Sequence, residues 1–573
     1  MKKLEFAKLL YEMADILDIQ GVDWKPQALR KAARNIETLP QDIEDVYRKE
    51  GEEGLRKIPG VGEGIAKKII EYLKTGRLKE YDELKKLVPK GVEELMSVQG
   101  LGPKKAWKLY KELNIDSLEK LEKLAKEGKI RKIEGFGQKS EEDILRGLEL
   151  VRKGKERMLL GTALPIANEI VEKLRKSRDV KRAELGGSIR RRKETIGDID
   201  ILVISDKPLK VMDYFTSLPD VQTVLAKGDT KSSVVLKEGL NCDLRVLEEK
   251  QYGAALMYFT GSKDHNIVLR NVAIRKGMKL SEYGLFDDKT GKLIASKTEE
   301  EIYKKLGMDY IEPEMREVTG EIELAQKHKL PDLIKYNSVK GDLHTHTNWS
   351  DGQYSTEDMI KAAIKMGYKY IAITDHSKSE RVANGLEEKR LLQHLAEIDK
   401  LQKKYPQIKI FKGSEVDIMG DGRLDYDDNI LKQLDVVIAS VHSRFKSTKE
   451  EMTKRVLNAL NNRYVNILAH PTGRLINQRE PYEIDLDKVF QKAKDNGIIV
   501  EVNSYPARLD LNDVNIKRAI EFGLKLTIDT DSHSIDHLRF IEFGIAQARR
   551  GWATEKDIIN TWPTEKLRKV LER

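Results

Sequence analysis

Asp342-Leu-His-Thr-His346 is the first of seven short apolar segments that each run into residues able to bind metal or carry protons. The others are Ile371-Ala-Ile-Thr-Asp-His376, Phe411-Lys-Gly-Ser-Glu415, Val437-Ile-Ala-Ser-Val-His442, Ile467-Leu-Ala-His470, Val500-Glu-Val-Asn503 and Leu526-Thr-Ile-Asp-Thr-Asp-Ser-His533. Amphipathic helical stretches separate them. Strand–helix alternation repeated this often predicts a parallel sheet closing on itself, here a TIM-like (βα)7 barrel over 338–573. In such barrels the chemistry sits at the carboxyl ends of the strands. Eight of the ten histidines, all but His265 and His328, fall in this part of the chain.

One histidine at a strand end is usually a satisfied core residue. Six at one rim (His344, His346, His376, His442, His470 and His533), accompanied by Asp351, Glu415 and Asp531, exceed what neutral packing accommodates. Nitrogen and oxygen donors without thiolate suit Zn²⁺, Mn²⁺ or Fe²⁺ rather than a structural zinc. Nine donors also exceed one coordination sphere, so two or three ions are expected, and adjacent ions suit phosphoester hydrolysis. Arg474 and Asn503 stand near plausible phosphate contacts. His344-x-His346…Ser350-Asp-Gly352, Thr374-Asp-His376, Gly413-Ser-Glu-Val-Asp417, Val441-His-Ser443, Ala469-His-Pro471 and Asp529-x-Asp-Ser-His533 together resemble the PHP (polymerase and histidinol phosphatase) domain. The resemblance implies that all nine positions are metal ligands, with Mn²⁺ or Zn²⁺ bound. It also implies a 3′-5′ exonuclease, AP endonuclease or 3′-end phosphoesterase activity.

The preceding sector has a different texture. Ile199-Asp-Ile-Leu-Val-Ile204, Ser233-Val-Val-Leu236 and Asp243-Leu-Arg-Val-Leu247 are β-branched runs between turns, hence strands. Asp198 and Asp200 are two apart on a strand and share a face. Burying two adjacent carboxylates costs heavily in desolvation and repulsion unless cations accompany them. Asp243 on a neighbouring strand would complete a three-carboxylate cradle for two Mg²⁺ ions. Ten residues upstream, Gly186-Gly-Ser-Ile-Arg-Arg-Arg-Lys193 feeds a turn into a cationic cluster, where Gly187 permits close approach of a phosphate and Ser188 and Arg191 offer donors.

Gly-Gly-Ser followed by Gly-Asp-x-Asp resembles the nucleotidyltransferase signature. With Tyr258-Phe-Thr-Gly-Ser262, Asn266 and Arg270, the stretch 1–318 resembles family X DNA polymerases such as DNA polymerase beta. The resemblance implies that Asp198, Asp200 and Asp243 bind the catalytic metals, and that Gly187, Ser188 and Arg191 hold the incoming triphosphate. It implies further that Tyr258 and Phe259, beside Gly261, pack the deoxyribose and exclude a 2′-hydroxyl, with Asn266 and Arg270 near the nascent base pair. After Gly261-Ser262, Lys263 stands where the family usually has an aspartate, and Asp264 follows one later.

Toward the amino terminus the chain reads as helices, and one pattern recurs: Ile58-Pro-Gly-Val-Gly-Glu-Gly64, Val98-Gln-Gly-Leu-Gly-Pro103 and Ile133-Glu-Gly-Phe-Gly137. A basic helix follows each. Gly60, Gly62, Gly64, Gly100, Gly102, Gly135 and Gly137 would let tight turns expose backbone N–H groups to phosphate. A single copy reads equally well as a C-cap glycine between helices; three copies resemble helix-hairpin-helix motifs that grip a DNA backbone. The family resemblance places Lys68 at the Schiff-base position of a 5′-deoxyribose phosphate lyase, with Lys25 and Lys31 in its phosphate pocket. Gly64, Leu29 and Glu80 depart from that pattern, and a DNA-backbone contact is an equal reading of Lys68.

The 573 residues therefore divide into an all-α helix-hairpin-helix region (1–80 and 81–152), an α/β nucleotidyltransferase palm (153–247), a thumb-like subdomain at the base pair (248–318), a linker (319–337) and the PHP barrel (338–573). At 39% hydrophobic and 35% charged the chain is globular, and one cysteine excludes a disulfide framework or thiolate cluster. The net charge of +9 has no basic tail, so nucleic acid must be met by local patches. Without a membrane-length apolar run or an apolar signal core, a cytoplasmic monomer is expected. Its partners would be gapped, nicked or primer-template DNA and dNTPs. Gap-filling polymerisation with PHP end-trimming is the leading reading. The alternative is a PHP phosphoesterase that uses a non-catalytic polymerase-like half to bind DNA.

Overall fold

The computed structural model describes residues 2–22, 24–37, 43–96, 98 and 101–572, in two compact units. One comprises residues 1–155 with 477–479, the other the rest of the chain.

The first unit is helical. Lys2–Ile19, Lys25–Glu37 and Glu63–Thr75 bury Phe6, Leu10, Leu29, Ala32, Ala66 and Ile69 in one core. A second core gathers Leu95, Leu109, Leu121 and Ile144. The described residues of the three repeats share two features. Both apolar residues of each (Ile58 and Val61, Val98 and Leu101, Ile133 and Phe136) are buried. In each, the second N–H donates to the first carbonyl, at 2.9, 3.0 and 2.9 Å. The apolar pair anchors the turn, and Gly60, Gly62, Gly64, Gly102, Gly135 and Gly137 are exposed. Gly62 and Gly102 cap Glu63–Thr75 and Pro103–Leu113, while Gly60 and Gly135 adopt φ of +79° and +84° that favour glycine. A Cβ added at Gly62, Gly64, Gly102, Gly135 or Gly137 would meet nothing within 4 Å. Gly100 lies outside the described residues.

In the second unit, the five strands of the palm run in the order Arg182–Leu185, Asp198–Ile204, Asn241–Leu247, Lys231–Leu236, Val221–Lys227. The central pair is parallel and sets Asp200 opposite Asp243. Helices Leu160–Arg175 and Pro208–Thr216 cover one face; Tyr252 and Leu256 of Tyr252–Thr260 pack on Leu202 and Ile204 of the other.

The stretch 319–337, expected as a linker, is folded instead. It contains helix Glu321–Gln326, buries Ile322, Ala325, Leu333 and Ile334, and pairs Leu333 with Thr554. Its apolar residues have a core to enter, so it is not a free tether.

The seven predicted strands form one parallel sheet in sequence order, from Gly341–Asp342 to Leu526–Asp529. The ends approach one another: Thr345 bridges Ser532, and His346 N donates to Ser532 O at 2.8 Å. Inward-facing Leu343, Ala372, Phe411, Ile438, Ile467 and Ile499 fill the interior, with Leu567 and Leu571 packed against them. The nine candidate ligands gather at the opposite, carboxyl rim.

Candidate functional site

Two constellations stand out. In the palm, the parallel register brings Asp198 and Asp200 beside Asp243. Burial, then Asp198 and Asp243, push the Asp200 carboxyl up to about 6. Burial also acts upward on Asp243, but Lys231, with Nζ at 2.7 Å, and Ser233 outweigh it and hold that carboxyl below its ordinary value. A carboxylate cluster whose mutual repulsion is only partly relieved suits added divalent cations.

Gly187 abuts this cluster. Its φ is +57°, and a Cβ there would lie 2.3 Å from Asp200 Oδ2. The turn thus presses the carboxylate toward an open pocket of about 820 Å³. Gly187, Ser188, Arg191, Tyr258, Phe259, Gly261, Asn266 and Arg270 all line that pocket. Ser188 Oγ is buried with no hydrogen-bond partner among the described residues, which suits an absent acceptor such as a phosphate oxygen. Tyr258 and Phe259 meet edge-on at 5.2 Å, with the Arg245 guanidinium 4.5 Å over Phe259. Asn266 Nδ2 donates to Tyr258 O at 2.7 Å and Arg270 Nε to Asn266 O at 3.3 Å, which ties the aromatic step to the helix Lys263–Arg275.

The cationic run after Ser188 is less free than its sequence suggested. Arg190 forks onto Glu299 at 2.6 and 3.0 Å, and Arg191 Nε donates to Glu317 at 3.1 Å while its Nη1 donates to Thr260 O. Arg192 lies over the Tyr336 ring. Of these, Arg191 lines the pocket. Arg157, Asp513 and Arg550, remote in sequence, line it too.

At the barrel rim, Glu415 is the hub. Its Oε1 lies 2.9 Å from His470 Nε2 and 3.2 Å from His442 Nε2; its Oε2 lies 2.9, 3.4 and 3.6 Å from His376, His344 and His346. Asp531 Oδ1 is 3.2 Å from His346 Nε2, and Asp351 Oδ1 is 3.3 Å from His533 Nε2. Donor atoms of His346, Asp351, His376 and His533 converge, as do those of His344, His346 and Asp531, and of His376, Glu415 and His442. All nine predicted residues are thus brought together. Burial opposes charge on Glu415, but the surrounding imidazoles outweigh it and hold the carboxyl well below its ordinary range. Burial, then His533 and His376, push His346 down to about 4. His344 Nε2 and both His346 ring nitrogens are buried without a hydrogen bond among the described residues. Converging, unpartnered imidazoles and carboxylates fit a multi-cation centre.

Several supporting residues escaped the sequence reading. Glu501 Oε1 accepts from His344 Nδ1 at 2.7 Å, and Asp417 Oδ1 from His442 Nδ1 at 2.6 Å, leaving each Nε2 free for a metal. Their signal was strand parity: Glu501 lies two from Asn503, Asp417 two from Glu415. Asn503 Nδ2 donates to Asp531 at 3.2 Å, inside the basket. Arg474 does not reach it as a phosphate contact; its guanidinium pairs with Glu194 at 2.7 Å and with Leu509 O. The cation that does face Asp531, at 3.6 Å, is Arg508.

In the helical unit, Glu80 lies 2.7 Å from Lys68 Nζ and 2.8 Å from Lys25 Nζ. The acid that departs from the lyase pattern therefore pairs with two of the three lysines that match it, Lys68 and Lys25.

Comparison with known proteins adds four matches: a helix-hairpin-helix domain at residues 1–78, a SAM-like helix-hairpin-helix tandem at 92–149, the DNA polymerase beta thumb at 255–317 and a PHP domain at 342–505. DNA polymerase/3′-5′ exonuclease PolX of Bacillus subtilis is 39% identical over 100% of both chains. A probable phosphatase of a Thermoanaerobacter species is 34% identical over 38% of this chain and 89% of its own length. The second likeness is confined to a segment about as long as the barrel.

Proposed function

This chain belongs to the family X DNA polymerases that carry a C-terminal PHP domain, and we propose from that membership that it fills short DNA gaps and trims 3′ ends in repair. The observation that carries the polymerase assignment is the Asp200–Asp243 register beside Asp198, with Asp198 and Asp200 lining a pocket of about 820 Å³. Two Mg²⁺ ions at this cradle would supply charge neutralisation for the attacking primer 3′-hydroxyl and the departing pyrophosphate. The chain's own residues do the rest. Gly187 fixes the Asp200 carboxylate against the pocket, Ser188 Oγ and the Arg191 guanidinium donate to triphosphate oxygens, and Asn266 and Arg270 stand by the new base pair. Tyr258 and Phe259 form a braced aromatic wall where a 2′-hydroxyl would have to displace ring or backbone.

The rim of the barrel would hold two or three ions, Mn²⁺ in preference to Mg²⁺ because imidazole accompanies carboxylate. Such ions supply Lewis-acid polarisation of a scissile phosphoester, which fits 3′-5′ exonuclease or abasic-site cleavage. Glu501 and Asp417 orient His344 and His442, and Arg508 offers a cation to the substrate phosphate. The outward-facing glycines of the three hairpins suit the DNA backbone. The carboxylate cluster, in which burial and then Asp198 and Asp243 raise the Asp200 carboxyl, favours this reading over a polymerase-like half that only binds DNA. This reading divides the chain near 80, 152, 247, 318 and 337, and a DNA-acting enzyme of this kind belongs with its substrate in the cytoplasm. No helix of the described residues is long and apolar enough to cross a membrane.

The test is primer extension on gapped DNA by the Asp200→Ala variant. Extension is expected to vanish while binding to the gapped duplex stays within about twofold, because the hairpins that hold phosphates are untouched. Extension near the wild-type rate would overturn the assignment.

A further inference from the structure

The wall of the nucleotide pocket is built partly by the hydrolytic half of the chain. Helix Ile541–Arg550, which packs on the last barrel strand, ends in the buried residues Gln547, Arg549 and Arg550. Arg550 Nη1 donates to Arg191 O at 2.7 Å and to Glu317 Oε1 at 3.1 Å, and its Nε and Nη2 donate to Asp513 Oδ2 at 3.0 and 2.6 Å. The same Glu317 Oε1 accepts from Arg191 Nε at 3.1 Å. One carboxylate oxygen thus joins the guanidinium that lines the triphosphate site to one carried by the barrel half. Gln547 Nε2 donates to Arg192 O at 3.3 Å, and Arg474 forks onto Glu194 at 2.7 and 3.3 Å. The loop after the Gly-Gly-Ser turn is therefore gripped at Arg191, Arg192 and Glu194. Arg192 sits at φ +54°, a conformation an arginine keeps only when its surroundings hold it there.

We infer that Arg550 is a positioning residue for nucleotide binding, setting through Glu317 where Arg191 presents its guanidinium to the incoming triphosphate. The inference rests on the polymerase reading of the pocket. Its physical basis is competition for Glu317. Arg550 shares Oε1 with Arg191 and so weakens the hold of Glu317 on that guanidinium, while Oε2 faces Lys193 Nζ at 3.8 Å. Without Arg550, Oε1 is left to Arg191 alone, and a tighter carboxylate–guanidinium pair is a strong rival to phosphate. The loop also loses its clasp on the Arg191 carbonyl. Nucleotide affinity falls, while the aspartate cradle on its separate strands is left as it was.

The experiment uses the full chain bound to gapped DNA with a non-extendable primer, and reads the Kd for dNTP alongside KM and kcat with an extendable one. Arg550→Ala is expected to raise Kd and KM by about tenfold with kcat within about twofold, and Arg550→Lys to fall between it and the wild type. In an Arg191→Ala background the same substitution should change Kd by less than about twofold, because a residue acting through another is silent once that other is gone. An unchanged Kd in Arg550→Ala, or its full effect in the Arg191→Ala background, would overturn the inference. If Arg550→Ala fails to fold, Arg550→Lys in the two backgrounds decides alone. Extension that survives Asp200→Ala would instead sink the polymerase reading, so the two failures are distinguishable.

Discussion

His344 is held from both sides: Nδ1 lies 2.7 Å from Glu501 Oε1, and Nε2 faces Glu415 and Asp531 at 3.4 and 3.7 Å. The Glu501 carboxylate fixes the ring so that Nε2 is left to a cation. Glu501→Gln should therefore weaken metal binding about 10–100-fold, as loss of such an outer partner does elsewhere. Hydrolysis of 3′ ends should fall at limiting Mn²⁺ and recover at high Mn²⁺, with gap filling unchanged. Metal titration followed by both activities checks this; hydrolysis indifferent to Mn²⁺ concentration in the variant would contradict it.

Gly187→Ala should be among the most damaging small changes in the palm. The left-handed φ of +57° costs an alanine about 1–2 kcal/mol. The new Cβ would also stand 2.3 Å from Asp200 Oδ2, so the carboxylate must move. Gap-filling kcat/KM is expected to drop on the order of 100-fold, roughly 2.7 kcal/mol. A near wild-type value would show that Asp200 tolerates displacement.

Acid should unlock the thumb through Glu299. Burial raises that carboxyl, but Arg316 and Arg190 outweigh it and hold it down to about 2, against 4.5 when unpaired. A depressed carboxyl stabilises the fold fully above about 4.5, and the contribution is lost as pH falls from there through about 2. Glu299→Gln strands Arg316, whose side chain is 0% exposed, and should cost about 3–5 kcal/mol at neutral pH. Its stability should change less than the wild type's between pH 4.5 and 2 in acid titrations monitored by circular dichroism.

Lyase chemistry should be weak. Lys68 Nζ rests 2.7 Å from Glu80, and forming a Schiff base requires that pair to break. Borohydride trapping on a 5′-deoxyribose phosphate end is expected to give little adduct, and Glu80→Gln to increase it. Abundant trapping by the wild type would show that the pair opens readily.

Local patterns were legible and remote partnerships were not. The seven strand ends announced the barrel and eight of its nine candidate donors, because a strand's period of two and a parallel sheet's shared rim can be read from sequence, while Asp351 sits in a turn and came from its motif. Asp198 and Asp200 were found the same way, and Asp243 by texture. The charges around Arg191 could not be read. Three adjacent arginines read as one cationic cluster, yet Arg190 turns to Glu299 and Arg191 shares Glu317 with Arg550, more than 350 residues away. Arg474 misled for the same reason, since Glu194 lies 280 residues upstream. The stretch 319–337 looked like a linker because short apolar clusters carry no periodicity, although Ile322 and Ile334 are buried.

The most direct measurement sets the two sites against each other on one gapped DNA carrying a labelled primer. Asp200→Asn and His344→Ala are assayed in parallel for extension with Mg²⁺ and dNTPs and for 3′-end loss with Mn²⁺ alone. Asp200→Asn is expected to lose extension and keep 3′-end loss; His344→Ala, with reduced metal content, is expected to do the reverse. Loss of extension in His344→Ala with 3′-end hydrolysis intact would contradict the account, because it would put the nuclease outside the barrel.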